Sequence, residues 1–431
     1  MDTIFALATP EGKSGVAVIR ISGQCAFQVF EKFKCRPVKL NGMGLRKLFI
    51  NNKLLDEALI LCFGEGRSFT GEDIVEIHHH GSLAVIQNSL GALGNIPSFR
   101  MAQPGEFTKR AFENGQLDLS QVEGLSVLIE AETSVQLDQA QKVFSGAFGD
   151  IINSWRKNLI SSKALIETTI DFSDEEIPDN LLESVKSKIS LIISSLRKEI
   201  AGTSISERIT TGFDVAIVGA PNVGKSTLFN ALLKRNAAIT SKIAGTTRDI
   251  IEARLDLGGI PITILDTAGI RNAKGSLEKM GVQLALQRAK QADLRIFVSD
   301  NNIFDYFGLE FLDGDLRVNN KSDTKNIKND FISISAKFGD GIEELMETIA
   351  KIFKSKVSKA SMAINERHRN SMVRALEALV SAECELKLGG ENLELCAEDI
   401  NIAIRAMDSL IGIIDVEEVL GEIYSKFCIG K

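Results

Sequence analysis

Apolar and polar positions alternate in three early stretches, Gly15 to Ser22 (GVAVIRIS), Ala58 to Phe63 and Ile74 to His80, with glycine-bearing turns between them. A period of two predicts half-buried strands and a β-rich N-terminal part. From Asp118 the period lengthens. Val122, Leu125, Leu128 and Ile129 share one helical stripe, and Ile152, Trp155, Leu159 and Ile166 share another. The acidic run Asp171 to Asp179, with Pro178 inside it, interrupts them, and a further helix is expected over Leu181 to Ile200. The apolar run Val215 to Val218 predicts a strand, and Thr227 to Leu233 a helix directly after it. Beyond these, Gly341 to Phe353 is amphipathic, and Asn365 to Leu388, Leu393 to Leu410 and Val416 to Phe427 are helical, the last opened by the capping pair Asp415 and Glu418. All seven prolines fall at or before Pro261, in keeping with a turn-rich start and a helical tail. Helical segments before and after the central strands predict one discontinuous helical domain with an α/β domain inserted into it. The boundaries expected are 1–117, 118–207, 208–356 and 357–431 in a multidomain α+β chain.

Composition narrows the function classes. A length of 431 residues suits two to four domains, and 44% hydrophobic content is enough for several cores. The net charge of −7 is not the footprint of a general nucleic-acid binder, so RNA contact requires a local basic patch or a partner. Cysteines at 25, 35, 62, 384, 396 and 428 form no CxxC pair and no zinc spacing, which reads as reduced thiols. No positive leader precedes an apolar core, and no apolar run reaches about 18 residues, so a soluble, cytoplasmic protein without membrane contact is expected.

The chemistry centres on Gly219 to Ser226, GAPNVGKS, between the predicted strand and helix. In a loop of this spacing, Asn222, Val223, Gly224, Lys225, Ser226 and Thr227 surround phosphates: backbone N–H groups cradle them, Lys225 reaches the β/γ-phosphates, and the Ser226 hydroxyl binds Mg²⁺. Four later motifs complete the pattern. Thr246 and Thr247 lie in GTTRD, where Thr247 completes the Mg²⁺ shell. Asp266, Thr267, Ala268 and Gly269 follow the strand Ile262 to Leu265, with Asp266 holding the metal through water. Asn320, Lys321 and Asp323 lie in NKSD, and Ser335, Ala336 and Lys337 close the set. The Asp323 carboxylate suits guanine N1 and N2, which adenine cannot match; a site built for such bonds rejects the wrong base by about 10⁴-fold. The set predicts a Ras-like P-loop domain binding GTP.

Other residues leave alternatives. Arg20 has the parity of Val16 and Val18, so its guanidinium is expected on an apolar face, with Glu76 as its partner. A structural ion pair and a ligand site both fit. Strand alternation splits His78, His79 and His80 across two faces, which argues against a metal cluster. Ile270 stands where Ras-like enzymes keep a water-orienting glutamine, and Arg248 and Arg271 are candidate arginine fingers. Glu278, by residue type alone, is an exposed helix carboxylate.

The N-terminal DTIFALATPEGKSGVAVIRISG, the stretches FTGEDIVEIHHHG and RMAQPGEFTKRAFENGQLDLSQVEG, the GTPase motifs and the terminal FCIGK together resemble the MnmE (TrmE) family of tRNA modification GTPases along the whole chain. The resemblance implies a homodimer with an N-terminal folate-binding domain. It also implies a FAD-dependent partner, MnmG, with which the family modifies carbon 5 of the tRNA wobble uridine with carboxymethylaminomethyl or aminomethyl groups. It assigns water activation to Glu278 and K⁺ binding to Asn222, Ser241, Ile243 and Thr246. Arg20, Glu76, Gln116 and Lys431 are implied to hold a 5-formyl-tetrahydrofolate, with Gln116 where the family usually has Lys or Arg. Cys428 is implied to lie near the uridine chemistry. A different class, an RNA-binding switch of the ribosome-assembly kind, lacks an appended RNA module in this sequence.

Overall fold

The structure is a computed structural model that describes residues 2–171, 180–235, 251–266, 285–324, 331–387, 392–414, 417–427 and 429–430. The chain is a multidomain α+β protein, with two six-stranded sheets among the described residues. It divides into two compact units, one of Met1–Ser126, Val143–Lys157 and Ile404–Lys431, the other of Val127–Lys142 and Asn158–Ala403.

In the first unit β1 (Thr3–Leu7), β2 (Ser14–Ser22), β3 (Gly42–Ile50), β4 (Lys53–Phe63), β5 (Ile74–Gly81) and β6 (Phe99–Met101) form a sheet of order β3-β4-β5-β2-β1-β6. All neighbours are antiparallel except β1 and β6. Alternation sends Ile19 and Ile21 of β2, Ala58 and Ile60 of β4, and Val75 and Ile77 of β5 to one face. There they meet Val29 of α1 (Val29–Lys32), Phe33, and Leu93 of α2 (Leu83–Gly94). Strand β1 is buried on both sides because Phe5 joins this core while Ile4 and Ala6 pack with Phe107 of α3 (Glu106–Glu113).

Arg20 shares a face with Val16 and Val18, as expected. That face is open at Val16, which is 54% exposed, and covered beside Arg20, whose cross-strand neighbour Ala6 packs with Phe107 of α3. The cross-strand register places Met43, Leu61, Glu76 and Arg20 in one row, and Leu45, Leu59, His78 and Val18 in the next.

Helices α4 (Leu119–Glu130), α5 (Ser134–Phe144) and α6 (Ala147–Asp171) follow. Of the stripes expected there, Ile152, Trp155, Leu159 and Ile166 are all buried, whereas Ile129 is exposed and only Val122 of its stripe is fully buried. The next helix, α7 (Asn180–Thr211), runs eleven residues past the expected end at Ile200. The small residues of the segment Ala201 to Ser206 serve packing. Gly202 admits the chain at 359–361, where a Cβ would meet Lys359 O at 2.7 Å. The Thr203 and Ser206 hydroxyls donate back to Glu199 O and Gly202 O, at 3.1 and 3.2 Å.

The second unit carries β7 (Phe213–Gly219), β8 (Ile251–Leu257), β9 (Ile260–Asp266), β10 (Leu294–Ser299), β11 (Leu316–Asn319) and β12 (Ile332–Ser333) in the order β12-β11-β10-β7-β9-β8. The sheet is parallel except for the β8/β9 hairpin. Both faces of β7 are buried, with Val215 and Ile217 in one cluster and Ala216 and Val218 in the other, which explains its unbroken apolar run. Burying each Val or Ile side chain contributes about 1.5–3 kcal/mol. The chain moves from β7 toward β9 and β8, then crosses to β10 on the other side. The carboxyl end of β7 is therefore the topological switch point, where open α/β sheets form ligand crevices. Helices α8 (Lys225–Arg235), α9 (Ile342–Val357), α10 (Glu366–Lys387), α11 (Leu393–Ile411) and α12 (Glu417–Lys426) are the remaining helices among the described residues. The expected capping residue Asp415 lies outside the described residues.

Candidate active site

The loop 219–226 leaves β7 at the switch point and enters α8 at Lys225. Its path depends on two left-handed residues, Asn222 at φ 66° and Gly224 at φ 97°. Gly224 is required twice over, since a Cβ there would also stand 2.3 Å from the Asn320 side-chain amide. Val223 is buried in the core, while Asn222, Ser226 and Thr227 are exposed and available to a ligand. Lys225 is buried, with Nζ donating to Gly219 O at 2.8 Å and Ala220 O at 3.0 Å. Asp266 ends β9 beside this loop, in register with Ile217, and is 5% exposed.

The motif at 320–323 joins the loop directly. Asn320 Nδ2 donates to Val223 O at 2.8 Å, and Asn320 Oδ1 accepts from Lys321 N at 2.8 Å and Ala336 N at 3.0 Å. Lys321 Nζ donates to Asn222 O at 2.8 Å. Ser335 Oγ donates to Asp323 Oδ1 at 2.6 Å, which orients the carboxylate. Ala336 is buried, and Lys337 Nζ stands 5.1 Å from the centre of the Phe338 ring. The motifs at 219–226, 320–323 and 335–337 thus meet at one end of the sheet. Amides at a helix start, a lysine and exposed hydroxyls suit phosphates, and a fixed carboxylate suits a base presenting two N–H donors. Ser241, Ile243, Thr246, Thr247, Arg248, Thr267, Ala268, Gly269, Ile270, Arg271 and Glu278 lie outside the described residues.

A second charged constellation occupies the first unit. Arg20 Nε donates to Glu76 Oε1 at 2.8 Å, and His78 Nε2 lies 3.2 Å from Glu76 Oε2. The Arg20 guanidinium stands 5.9 and 5.8 Å from the Phe69 and Phe107 ring centres, and its Nη1 donates to Gly430 O at 3.3 Å. The C-terminal tail therefore reaches this pair, although Cys428 and Lys431 lie outside the described residues. Gln116 is exposed and lines a cavity of about 380 Å³ with Gln24, Glu72, Asp73 and Asn114; Arg20 and Glu76 do not line it. Of the histidines, His79 is buried, His80 is exposed and bonded to Asp56, and burial holds His79 below its ordinary pKa.

Sequence reasoning missed what lies beside this pair. Arg110, 6% exposed, donates from Nη1 to Glu72 Oε2 at 3.0 Å and from Nη2 to Asp2 Oδ1 at 2.9 Å and Glu106 Oε1 at 3.3 Å. Ser22 Oγ donates to Glu72 Oε2 at 2.6 Å, and Arg100 bonds both Asp2 and Glu106. Arg100, first through its hydrogen bond, holds the Asp2 carboxyl below its usual range. The only sequence signal was the spacing of Glu106 and Arg110, four apart on a helix.

Comparison with known proteins agrees along the chain. The model described as GTP-binding protein TrmE N-terminus matches residues 3–116, and the MnmE helical domain matches residues 119–428. The chain is 49% identical over 431 residues to the tRNA modification GTPase MnmE of Cereibacter sphaeroides and 47% identical over 432 residues to that of a Ruegeria species, with 100% of each chain covered. The solved G domain of the T. maritima FeoB iron transporter is similar to 32% of this chain and 98% of its own, at 23% identity and TM-score 0.25. With its N-terminal and helical parts both matched and its full length aligned at nearly half identity, this chain belongs to the MnmE family of tRNA modification GTPases.

Proposed function

We propose that this GTPase hydrolyses GTP as one component of the modification of tRNA wobble uridine at carbon 5, installing carboxymethylaminomethyl or aminomethyl groups together with MnmG. The observation that carries the nucleotide half is the junction of 219–226, 320–323 and 335–337, with Asp323 oriented by Ser335. Ser226 and Thr247 hold Mg²⁺, with Asp266 reaching it through water. Asn222, with Ser241, Ile243 and Thr246, holds a K⁺ that offsets phosphate charge, and Glu278 orients the attacking water. Hydrolysis is accordingly faster in K⁺ than in Na⁺, and Asn222→Ala removes the difference.

Arg20, Glu76, Gln116 and Lys431 hold the folate, with Cys428 near the uridine. The bond from Arg20 to Gly430 O, one residue before Lys431, supports that grouping. A homodimer is supported by the open face of the first sheet, where Met43 is 73% and Leu45 59% exposed in the rows that contain Glu76 and His78. The domains are 1–117 for folate and dimerisation, 118–207 with 357–431 for the discontinuous helical domain, and 208–356 for the inserted GTPase.

The test is nucleoside analysis of bulk tRNA from cells lacking the gene. Loss of the wobble-uridine modification, restored by the intact gene, is expected. Intact tRNA with defective ribosomal particles would overturn the proposal.

A further inference from the structure

Asp300 belongs to none of the motifs, yet it stands against one of them. It follows Ser299, the last residue of β10, beside the strand that leads into the phosphate loop. Its surroundings are built rather than slack. Ser299 Oγ donates to Ile303 O at 2.8 Å, Asn301 Oδ1 accepts from Ile303 N at 3.1 Å, and Asn320 N donates to Ser299 O at 2.7 Å. This frame presents the Asp300 carboxylate to Lys321, whose Nζ donates to Asp300 Oδ2 at 2.9 Å.

The same ammonium donates to Asn222 O at 2.8 Å. Lys321 and Asn222 both sit in the left-handed region, at φ 63° and 66°, a conformation that costs a residue such as Lys roughly 1–2 kcal/mol. Asn adopts that shape readily, but Lys321 does not, so bonds from outside must fix it. Lys321 links the base loop to the phosphate loop beside the bond from Asn320 to Val223 O, and Asp300 is the charged acceptor that fixes its ammonium. A charged acceptor is roughly twice as strong as a neutral one.

We propose that Asp300 is a positioning residue of the nucleotide site: through Lys321 it holds the base-recognition loop 320–323 and the phosphate loop 219–226 in one arrangement. This rests on the guanine-nucleotide reading. The competing view is an ordinary surface pair, since Lys321 is 41% and Asp300 28% exposed, and such pairs contribute little.

Release of a fluorescent GDP analogue from the full-length protein separates the two. Asp300→Ala speeds release about tenfold, the change expected for one lost bond to a charged group. Asp300→Asn, which keeps the shape but not the charge, gives about threefold. The loss falls on the KM for GTP rather than on kcat, because ground state and transition state are held alike. In a Lys321→Met background the Asp300→Ala effect shrinks below about twofold, as expected for coupled residues. Release from Asp300→Ala at the unmodified rate, or an equal acceleration with and without Lys321, would overturn the role of Asp300. Failure of the unmodified protein to bind GDP would instead overturn the guanine reading.

Discussion

The nucleotide region and the charged constellation of the N-terminal sheet both hold polar groups out of water, with different partners. Around the phosphate loop the acceptors are mostly backbone carbonyls, such as Val223 O for Asn320, Asn222 O for Lys321, and Gly219 O and Ala220 O for Lys225. Around Arg110 and Arg20 they are mostly carboxylates from distant positions, with 108 residues between Arg110 and Asp2 and 56 between Arg20 and Glu76. Backbone acceptors are present whatever the side chains, so a loop built on them needs only a glycine spacing and a few polar residues. A network of ion pairs needs every partner in place, because removing one leaves a buried charge uncompensated.

The largest expected effect tests whether hydrolysis depends on the nucleotide region. Glu278→Ala lowers the single-turnover rate of GTP hydrolysis by about 10²–10⁴, the contribution of a positioned acid–base group, and leaves GTP affinity nearly unchanged. An unchanged rate constant returns Glu278 to an exposed carboxylate. Next comes the ion-pair network. Arg110→Met costs about 3–5 kcal/mol of N-terminal stability by removing the cation that faces Glu72. Chemical denaturation of the full chain checks this. A cost below about 1 kcal/mol would mean that the network is no stronger than a surface pair. Ser335→Ala sharpens the nucleotide side, since losing the bond that orients Asp323 weakens GDP binding about tenfold. Equal affinity would show that Asp323 is held by other contacts.

The smallest effect concerns pH. His79 is buried with its pKa lowered, so the unfolded chain takes up a proton that the folded chain resists. Its contribution is fully present above the ordinary histidine value and is lost as pH falls below it. Replacing His79 with Gln flattens the fall of Tm between about pH 7.5 and pH 5. An equally steep fall would place the acid sensitivity elsewhere.

The same difference explains what the sequence could and could not reveal. The strand, loop and helix around 213–235 followed from an unbroken apolar run, a glycine spacing and a helical stripe, all of them local. The Arg20 to Glu76 pairing and its face followed from two charges in apolar strands, but how far that face is covered did not. Parity gives two faces, and only the packing of Val29, Phe33 and Leu93 decides which becomes the core. Helix α7 runs on past the expected end at Ile200 to Thr211, with Gly202 and Ser206 packed against the chain at 359–361, a partner remote in sequence. Asp2, Glu72 and Arg110 left almost no trace, since each reads as a surface charge until the fold brings them together.

The central claim, that nucleotide hydrolysis by this chain serves tRNA modification, is tested most directly by changing the base it uses. Xanthine carries an oxygen where guanine carries its 2-amino group, so an amide at position 323 matches xanthine as the carboxylate matches guanine. In a reconstituted reaction with MnmG, Asp323→Asn should fail to modify the wobble uridine with GTP and recover with xanthosine triphosphate. Full modification by Asp323→Asn with GTP, or hydrolysis of xanthosine triphosphate without modified uridine, would contradict the account.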